Sequence, residues 1–530
     1  MGRFLNKGNE KFERFSRSRY YVDKTELINR LLERDETEKF ICNSRARRFG
    51  KSVTANMLVA YFSKGAASEA LFKPLKCVKD RLFMENMNHY DTIFADIQAV
   101  FVEARRSKED PNEYLDKCFV GELKAAYPEI VSDRDVLEKA LGKIYQATGS
   151  QFVIIFDEWD YPIRELEPQH TERTDYVEFL RGLFKSSDAS EYIRLAYLTG
   201  IMPIVRTKGQ SAVNNFIEYT MTNPGDLAQS IGFVEAEVRA LCERFSVDFE
   251  QMKEWYNGYD LNNTAIYNPL SVVRAISGRR FQQYWTVTGT YGDIDDLINE
   301  NYDGLREDII RMLSGNRVTI NISDGRNDLQ TFQSKNEVLT ALIHLGYFAY
   351  DADTREIYVP NKEIQEVFYQ YMENNRDDNL SRFMNLSEKV FNAVIEEDGE
   401  CTARLIQSIH NDFISALEYN NENSLACTIM IALIAAFTHY HKPVREFPCG
   451  KGFADIVYLP LSDHLGNPVI VVELKWDRSA KAAISQIKEK QYPESLEQYW
   501  GEVLLVGINY DKKTKKHLCV IERHIKNGYA

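Results

Sequence analysis

The sequence predicts an α/β chain in three parts: an N-terminal parallel-sheet layer, a small helical middle, and a C-terminal α/β domain built on a strand hairpin. Three observations lead there. First, the apolar runs Phe40-Ile41-Cys42-Asn43, Gln151-Phe152-Val153-Ile154-Ile155-Phe156 and Ile193-Arg194-Leu195-Ala196-Tyr197-Leu198 are separated by helical stretches such as 175–185. Continuous apolar strands of this kind are buried on both faces by crossover helices. Second, residues 236–385 turn to aromatics among Asn and Gly turns: Trp255, Tyr256, Tyr259, Tyr267, Tyr284 and Trp285. Third, two β-rich runs, Phe453-Ala454-Asp455-Ile456-Val457-Tyr458 and Val469-Ile470-Val471-Val472, flank the turn-prone residues 462–468. The expected domains are 1–235, 236–385 and 386–530.

At 530 residues, 44% hydrophobic and 27% charged, the chain has room for several domains. Met1 to Arg19 lacks the apolar core of a signal peptide, and the apolar segment 425–437 is too short to span a bilayer, so no membrane role is expected. Eight scattered cysteines without a C-x-x-C pair fit a reduced cytoplasmic protein. The net charge of −14 argues against indiscriminate nucleic-acid coating. From Leu386 onward the balance is only −3, against −11 before it. Lys512, Lys513, Lys515, Lys516, Arg523 and Lys526 make a basic end, a run that is more often a solvated face than a binding site.

The first strand leads into Ser44-Arg45-Ala46-Arg47-Arg48-Phe49-Gly50-Lys51-Ser52 and then a helix with Val53, Met57, Leu58, Tyr61 and Phe62 at helical spacing. That is the strand–loop–helix order in which main-chain N–H groups cradle phosphates. The lysine reaches the β and γ phosphates, and the serine hydroxyl binds Mg²⁺. Gly50, Lys51 and Ser52 fill the last three places, while Arg45 stands where G-x-x-x-x-G-K-[ST] has its first glycine. The second strand ends in Asp157-Glu158-Trp159-Asp160. Asp157 suits an Mg²⁺ shell, and Glu158 suits orienting or activating a hydrolytic water. The third strand ends at Thr199, whose hydroxyl suits sensing a γ-phosphate. Arg206 and Lys208 are conceivable charge donors, with a plain surface role the stronger reading. The aromatics of the middle part read as core packing, and residues 314–327 as an exposed loop.

In the C-terminal part, Glu473 and Lys475 are two apart on a strand and so share a face. A hairpin sets Asp455 beside Glu473. Two hard carboxylates can hold Mg²⁺ with its waters while an ammonium orients a phosphate or the attacking water. A surface hairpin with ordinary charges is the competing reading of the same residues.

The motifs Tyr21-Val22-Asp23-Lys24-Thr25, Arg47-Arg48-Phe49-Gly50-Lys51-Ser52, Ile155-Phe156-Asp157-Glu158-Trp159-Asp160, Leu198-Thr199-Gly200, Trp255-Tyr256-Asn257-Gly258-Tyr259 and His344-Leu345-Gly346-Tyr347 resemble a family of bacterial and archaeal AAA-ATPase-like proteins. Members commonly end in a domain of the PD-(D/E)XK nuclease superfamily, and Gly452-Phe453-Ala454-Asp455 with Glu473-Leu474-Lys475 is similar to that domain's motifs. The resemblance implies an AAA-like P-loop domain, a helical lid and a nuclease-like α/β domain. It implies a nucleotide site of Arg48, Gly50, Lys51, Ser52, Asp157 and Thr199. The loop carries three arginines, 45, 47 and 48, each a candidate to contact phosphate or the nuclease-like domain. Many members have proline where this chain has Ala46, and Ala454 replaces the proline of the nuclease motif. Glu422 stands where an acid of the first core helix often joins the nuclease metal site, although an acid at a helix start is also favoured by the helix dipole. Gln486 matches a polar position near the substrate.

The expectation is therefore an ATP-binding and ATP-hydrolysing switch joined to a nuclease. Ser52 and Asp157 would hold one Mg²⁺ with Glu158 as base. Asp455 and Glu473 would hold another Mg²⁺ or Mn²⁺, with Lys475 and Glu422 completing the site. The expected substrate is nucleic acid, DNA ahead of RNA, and a protein partner or oligomer is compatible with the acidity. The alternative is an ATP-driven regulator that binds nucleic acid or protein through a catalytically silent nuclease-like domain.

Overall fold

The computed structural model describes the chain except residues 1, 205, 208–209, 212, 286–297, 299–301, 323–331, 375–378, 414–420, 450, 462–463, 493–495, 497–501 and 526–530, and the side chains of 206–207, 210–211, 373–374 and 379–380. Lys208, Lys526 and the first part of the 462–468 turn therefore lie outside the described residues, as does the side chain of Arg206. The chain gathers into two compact units, one of residues 1–290 with 319–364 and one of residues 291–318 with 365–530.

The first unit is built on a five-stranded sheet of β1 (Phe40–Ser44), β2 (Asp91–Asp96), β3 (Phe152–Asp157), β4 (Ile193–Gly200) and β5 (Ile217–Tyr219), in the order β2-β3-β4-β1-β5. Every neighbouring pair is parallel. β3 is buried at all six positions, which is why its sequence is a continuous apolar run. After β1 the chain turns into helix α1 (Lys51–Phe62), whose buried face extends almost all round because it packs close against β3. The sequence-based strands and the helix after the loop are all present. β2 and β5 add to them.

Residues 235–278 supply the helical middle: Glu235–Phe245, Phe249–Tyr256 and Pro269–Gly278, with a small three-stranded sheet between them. Tyr256, Tyr259, Tyr267 and Trp285 are buried, so the aromatics pack a core as expected. The loop expected over 314–327 is mixed where it is described, with Gly315, Arg317, Thr319 and Asn321 exposed. Ser314 and Ile320 are buried, and Val318–Thr319 is a short strand.

The second unit carries β6 (Val444–Cys449), β7 (Gly452–Tyr458), β8 (Val469–Trp476), β9 (Glu502–Asp511) and β10 (Lys516–Ile525) in that spatial order. β8 and β9 run parallel and the other pairs antiparallel. The mixed sheet is joined by α2 (Glu422–Ala432), started by Asn421 accepting from the Ser424 N–H, and by α3 (Ala480–Glu489), capped by Ser479. Of the expected basic end, Lys512, Lys513 and Lys515 lie in the turn between β9 and β10 and Lys516 and Arg523 on β10 itself, with Arg523 engaged by Glu397 and Glu502.

Gly507 on β9 lets α3 sit directly on the sheet. A Cβ there would lie 2.5 Å from the Ala480 carbonyl oxygen and 3.0 Å from the Ala483 Cβ. Gly507→Ala is expected to destabilise the second unit by about 1–3 kcal/mol through overpacking. Denaturant unfolding checks this, and an unchanged midpoint would contradict the close seat of α3.

Candidate functional site

Two clusters of chemistry-bearing residues emerge, one in each unit. In the first, the loop after β1 is shaped by residues in left-handed backbone, Arg48 at φ 69° and Gly50 at φ 97°. Nothing lies within 4 Å of a Cβ placed on Gly50, so glycine is there for its backbone and not for space. Gly50 caps α1, whose first N–H groups face the loop. The Phe49 carbonyl accepts from the Gly232 N–H at 3.1 Å, and the Phe49 ring meets Tyr259 edge-on at 5.2 Å, pinning the loop from outside.

Lys51 is buried, its Nζ donating to the Ala46 carbonyl at 3.1 Å, and burial pulls its pKa down. The Ser52 hydroxyl is close enough to the Asp157 carboxylate to hold its pKa down. Burial pushes Asp157 up to about 7, with Ser52 opposing. Thr199 stands level with Asp157 in the β3–β4 register, but its hydroxyl donates to the Asn43 carbonyl at 2.9 Å and is taken up by the β1 main chain. Arg48 is exposed and lines the cleft. Arg45 is a different case. It is fully buried, with its guanidinium donating to the carbonyls of Ser44, Thr220 and Leu227 at 2.9, 3.3 and 3.2 Å. It braces the loop from below, so it is not a phosphate-facing arginine.

Glu158 has φ 52° and its carboxylate lies 3.6 Å from Arg164 Nη1, which also reaches Asp160 at 3.0 Å. Asp160 in turn accepts from the N–H groups of Ile201 and Met202 at 3.1 and 2.8 Å, tying the turn after β4 to the segment after β3. Arg164 was not foreseen from sequence; its spacing of four from Asp160, a helical ion-pair distance, was the available signal. A cleft of about 510 Å³ opens at this loop. Arg48, Lys51, Ser52 and Glu158 line its polar end, and Tyr20, Val22, Phe233, Leu270 and Val273 its apolar wall.

In the second cluster, β7 and β8 form the expected hairpin. Ile456 pairs with Val472, which brings Asp455 level with Glu473. Asp455 Oδ2 accepts from the Leu474 N–H at 2.7 Å. Glu473 is 1% exposed; one oxygen accepts from Lys475 Nζ at 3.0 Å, and the other has no partner. Burial, followed by the neighbouring charge of Asp455, pushes Glu473 up to about 7, and burial raises Asp455 as well. A carboxylate buried with an orphaned oxygen beside a second carboxylate suits a hard divalent cation, and Mg²⁺ commonly takes only one or two protein carboxylates.

Glu422, exposed at the first turn of α2, is close enough for its charge to raise Glu473. Among the described residues, however, no three His, Cys, Asp or Glu side chains group as a metal cage. Asp455, Glu473 and Lys475 are thus brought together, with Glu422 at the edge. Gln486 lies near Tyr492, a buried phenol that feels the charges of Glu473 and Asp455. Asn509, level with Lys475 on β9, is buried with its Nδ2 unpartnered and was not foreseen. All eight cysteines are free thiols, and no helix among the described residues is long and apolar enough to cross a membrane.

Comparison with known proteins matches the two segments that contain these clusters. Residues 7–208 match the AAA-ATPase-like family, described as a predicted AAA-ATPase, and residues 420–519 match the PD-(D/E)XK nuclease superfamily. The "Uncharacterized protein in vnfD 5'region" of Azotobacter chroococcum mcd 1 is 28% identical over 295 residues, 53% of this chain and 53% of the relative. The chain thus spans about half the length of that relative. The Aeropyrum pernix ORC2 protein, solved as ADPNP-ADP complexes, aligns at 12% identity and a TM-score of 0.28, covering 69% of this chain and 94% of that one. An AAA-ATPase-like domain and a PD-(D/E)XK nuclease-superfamily domain therefore share this chain, the first on a parallel sheet and the second on a mixed one.

The raised Glu473 has a consequence for stability. With a folded pKa of about 7 against an ordinary 4.5, its stabilising contribution is complete below about 4.5 and is lost as pH rises through 7. Glu473→Gln keeps the neutral form, so in metal-chelating buffer the variant should match the wild type near pH 5 and exceed it at pH 8 by about 2–3 kcal/mol. Thermal unfolding across that range checks it. A wild type that gains on the variant as pH rises would contradict the buried, crowded carboxylate.

Proposed function

We propose that the chain is a nucleotide-controlled, metal-dependent nuclease. The observation that carries the reading is the buried Glu473–Lys475 pair with its orphaned oxygen beside the half-buried Asp455, in a chain that also carries a candidate phosphate loop. A purely structural sheet gains nothing from a buried, half-unsatisfied Glu473 set beside a second carboxylate, because leaving such a group unsatisfied costs stability.

At the first site, Lys51 would meet the β and γ phosphates of ATP, and the α1 N–H groups and Arg48 the rest of the phosphate chain. Ser52 and Asp157, which are close enough for the hydroxyl to lower the Asp157 pKa, would hold Mg²⁺. Glu158 would orient the hydrolytic water, its carboxylate steadied by Arg164. The apolar wall of Tyr20, Leu270 and Val273 would receive the base. Thr199 would act by keeping β1 and β4 in register beside Asp157 unless its hydroxyl is released to the γ-phosphate.

At the second site, Asp455 and Glu473 would hold Mg²⁺ or Mn²⁺, which when bound polarises a phosphodiester and acidifies a water. Lys475, fixed by Glu473, would position the attacking water or a phosphate oxygen. Glu422 would add negative charge near the metal. Nucleic acid is the substrate of this reading, DNA ahead of RNA, and control by ATP is proposed from the presence of both sites in one chain. The division at residues 235 and 385, a cytoplasmic setting and self-association of the ATPase-like part are proposed with it. Should cleavage be absent, a nucleotide-dependent regulator with a silent nuclease fold is the second reading.

Full-length protein incubated with single- and double-stranded DNA and RNA, with Mg²⁺ or Mn²⁺ and with or without ATP, tests this. Asp455→Ala is expected to lower cleavage on the order of 100-fold or more. Lys51→Ala is expected to weaken nucleotide binding at least about tenfold and to abolish any effect of ATP on cleavage. Cleavage that survives Asp455→Ala removes the proposed centre, and cleavage indifferent to ATP and Lys51 removes the control.

A further inference from the structure

Asn509 stands one strand over from Lys475. β8 and β9 are paired without a break from Val469–Val503 to Trp476–Tyr510. Asn509 is therefore level with Lys475 at the strand spacing of about 4.8 Å, on the sheet face that carries Glu473 and Lys475. Gly507, level with Glu473, is on that face too, beneath Ala480 and Ala483 at the start of α3. Asn509 is 1% exposed, so water does not serve its amide from outside.

The amide has one fixed end. Its Oδ1 accepts from the Arg478 N–H at 2.9 Å, and this decides which way the group lies, because a flipped amide would set two donors against each other. Holding the turn between β8 and α3 uses only the oxygen. The Nδ2 has no partner among the described residues. A buried amide nitrogen with unused hydrogens is unfavourable unless something accepts from it.

Lys475 is not that acceptor, since an ammonium only donates. Glu473 has a buried oxygen that is also unpartnered, yet the two atoms do not meet. Lys475, level with Asn509, is committed to the other Glu473 oxygen at 3.0 Å. An orphaned donor and an orphaned acceptor thus share one sheet face with an ammonium. That set is complementary to an anion held beside a cation, which a phosphodiester at a metal centre is.

We propose that Asn509 is a substrate-contacting residue of the second site: its amide N–H₂ donates to a non-bridging oxygen of the phosphodiester, beside the Lys475 ammonium. The proposal rests on the nuclease reading of that site and names a contact by which it grips its substrate. A fixed, buried donor of this kind strengthens as charge builds on the oxygen it faces.

The test is fluorescence anisotropy of labelled single- and double-stranded DNA and RNA on the full-length chain, with Ca²⁺ in place of Mg²⁺, set beside cleavage in Mg²⁺ or Mn²⁺. Asn509→Asp keeps an acceptor for the Arg478 N–H and removes the donor. It should lower affinity about tenfold and cleavage on the order of 100-fold. Asn509→Ala adds no charge and should lose affinity to a like extent with the logarithmic salt slope unchanged, because a neutral donor releases no counterions. Thermal unfolding establishes that each variant is folded at the assay temperature. Wild-type affinity in either folded variant overturns the proposal. So does a shallower salt slope in Asn509→Ala, which assigns the loss to a displaced Lys475. Cleavage that is lost in Asp455→Ala but unchanged in Asn509→Asp leaves the nuclease reading standing and removes Asn509 from it. Asn509-dependent binding without cleavage by any metal keeps the contact and removes the nuclease reading. A wild type that neither binds nor cleaves any of these nucleic acids removes both.

Discussion

Glu473 is a carboxylate folded into a place where water cannot serve it, with one oxygen on Lys475 and the other on nothing. Burying a charge this way is costly unless something compensates. The ammonium compensates in part, but Asp455 alongside works against it, and the group answers by favouring its neutral form. The local architecture follows from this tension. The hairpin register brings Asp455 level with Glu473, the Leu474 N–H fixes Asp455 from the side, and Gly507 allows α3 to close over the sheet. A doubly charged ion would relieve the repulsion and satisfy the free oxygen together, which is why an otherwise unfavourable arrangement makes sense as a site.

The phosphate loop follows a related logic with opposite sign. A cation without a carboxylate partner, Arg45, is buried under the loop and dispersed over three carbonyls, and Lys51 is buried above it on another. Both lose solvation, and both add positive potential where a polyphosphate would sit. The acids Asp157, Glu158 and Asp160 fan out from the end of β3. Ser52 and Arg164 separate their roles, the first engaging Asp157 and the second Glu158 and Asp160.

Much of this was legible in sequence because burial on two faces leaves a plain mark. β1, β3, β4 and β8 are apolar runs ending in candidate site residues, and the structure has the strands where the runs predict. β2 was hidden by acids at both ends, Asp91 and Asp96, and β5 by being three residues long. The edge strands β6 and β10 were hidden by Pro448 and by charges, since an edge faces water and need not be apolar. Arg45 was misjudged for a different reason. A charged residue in a phosphate loop points naturally to phosphate, and its actual partners, Thr220 and Leu227, are about 175–182 residues away. The pairing of Asp455 with Glu473 was readable from the hairpin; the buried depth of Glu473, which gives the pairing its chemical force, depends on α3 and could not be read from spacing alone.

The central claim is that Asp455 and Glu473 together form a divalent-metal site. Isothermal titration of Mn²⁺ into nucleotide-free protein, in two buffers of different ionisation enthalpy, tests it most directly. The account predicts one binding event, with proton release at or just below neutral pH as Glu473 gives up its proton, that is lost in Asp455→Asn. Binding that is absent from the wild type, or that Asp455→Asn leaves untouched, would contradict it.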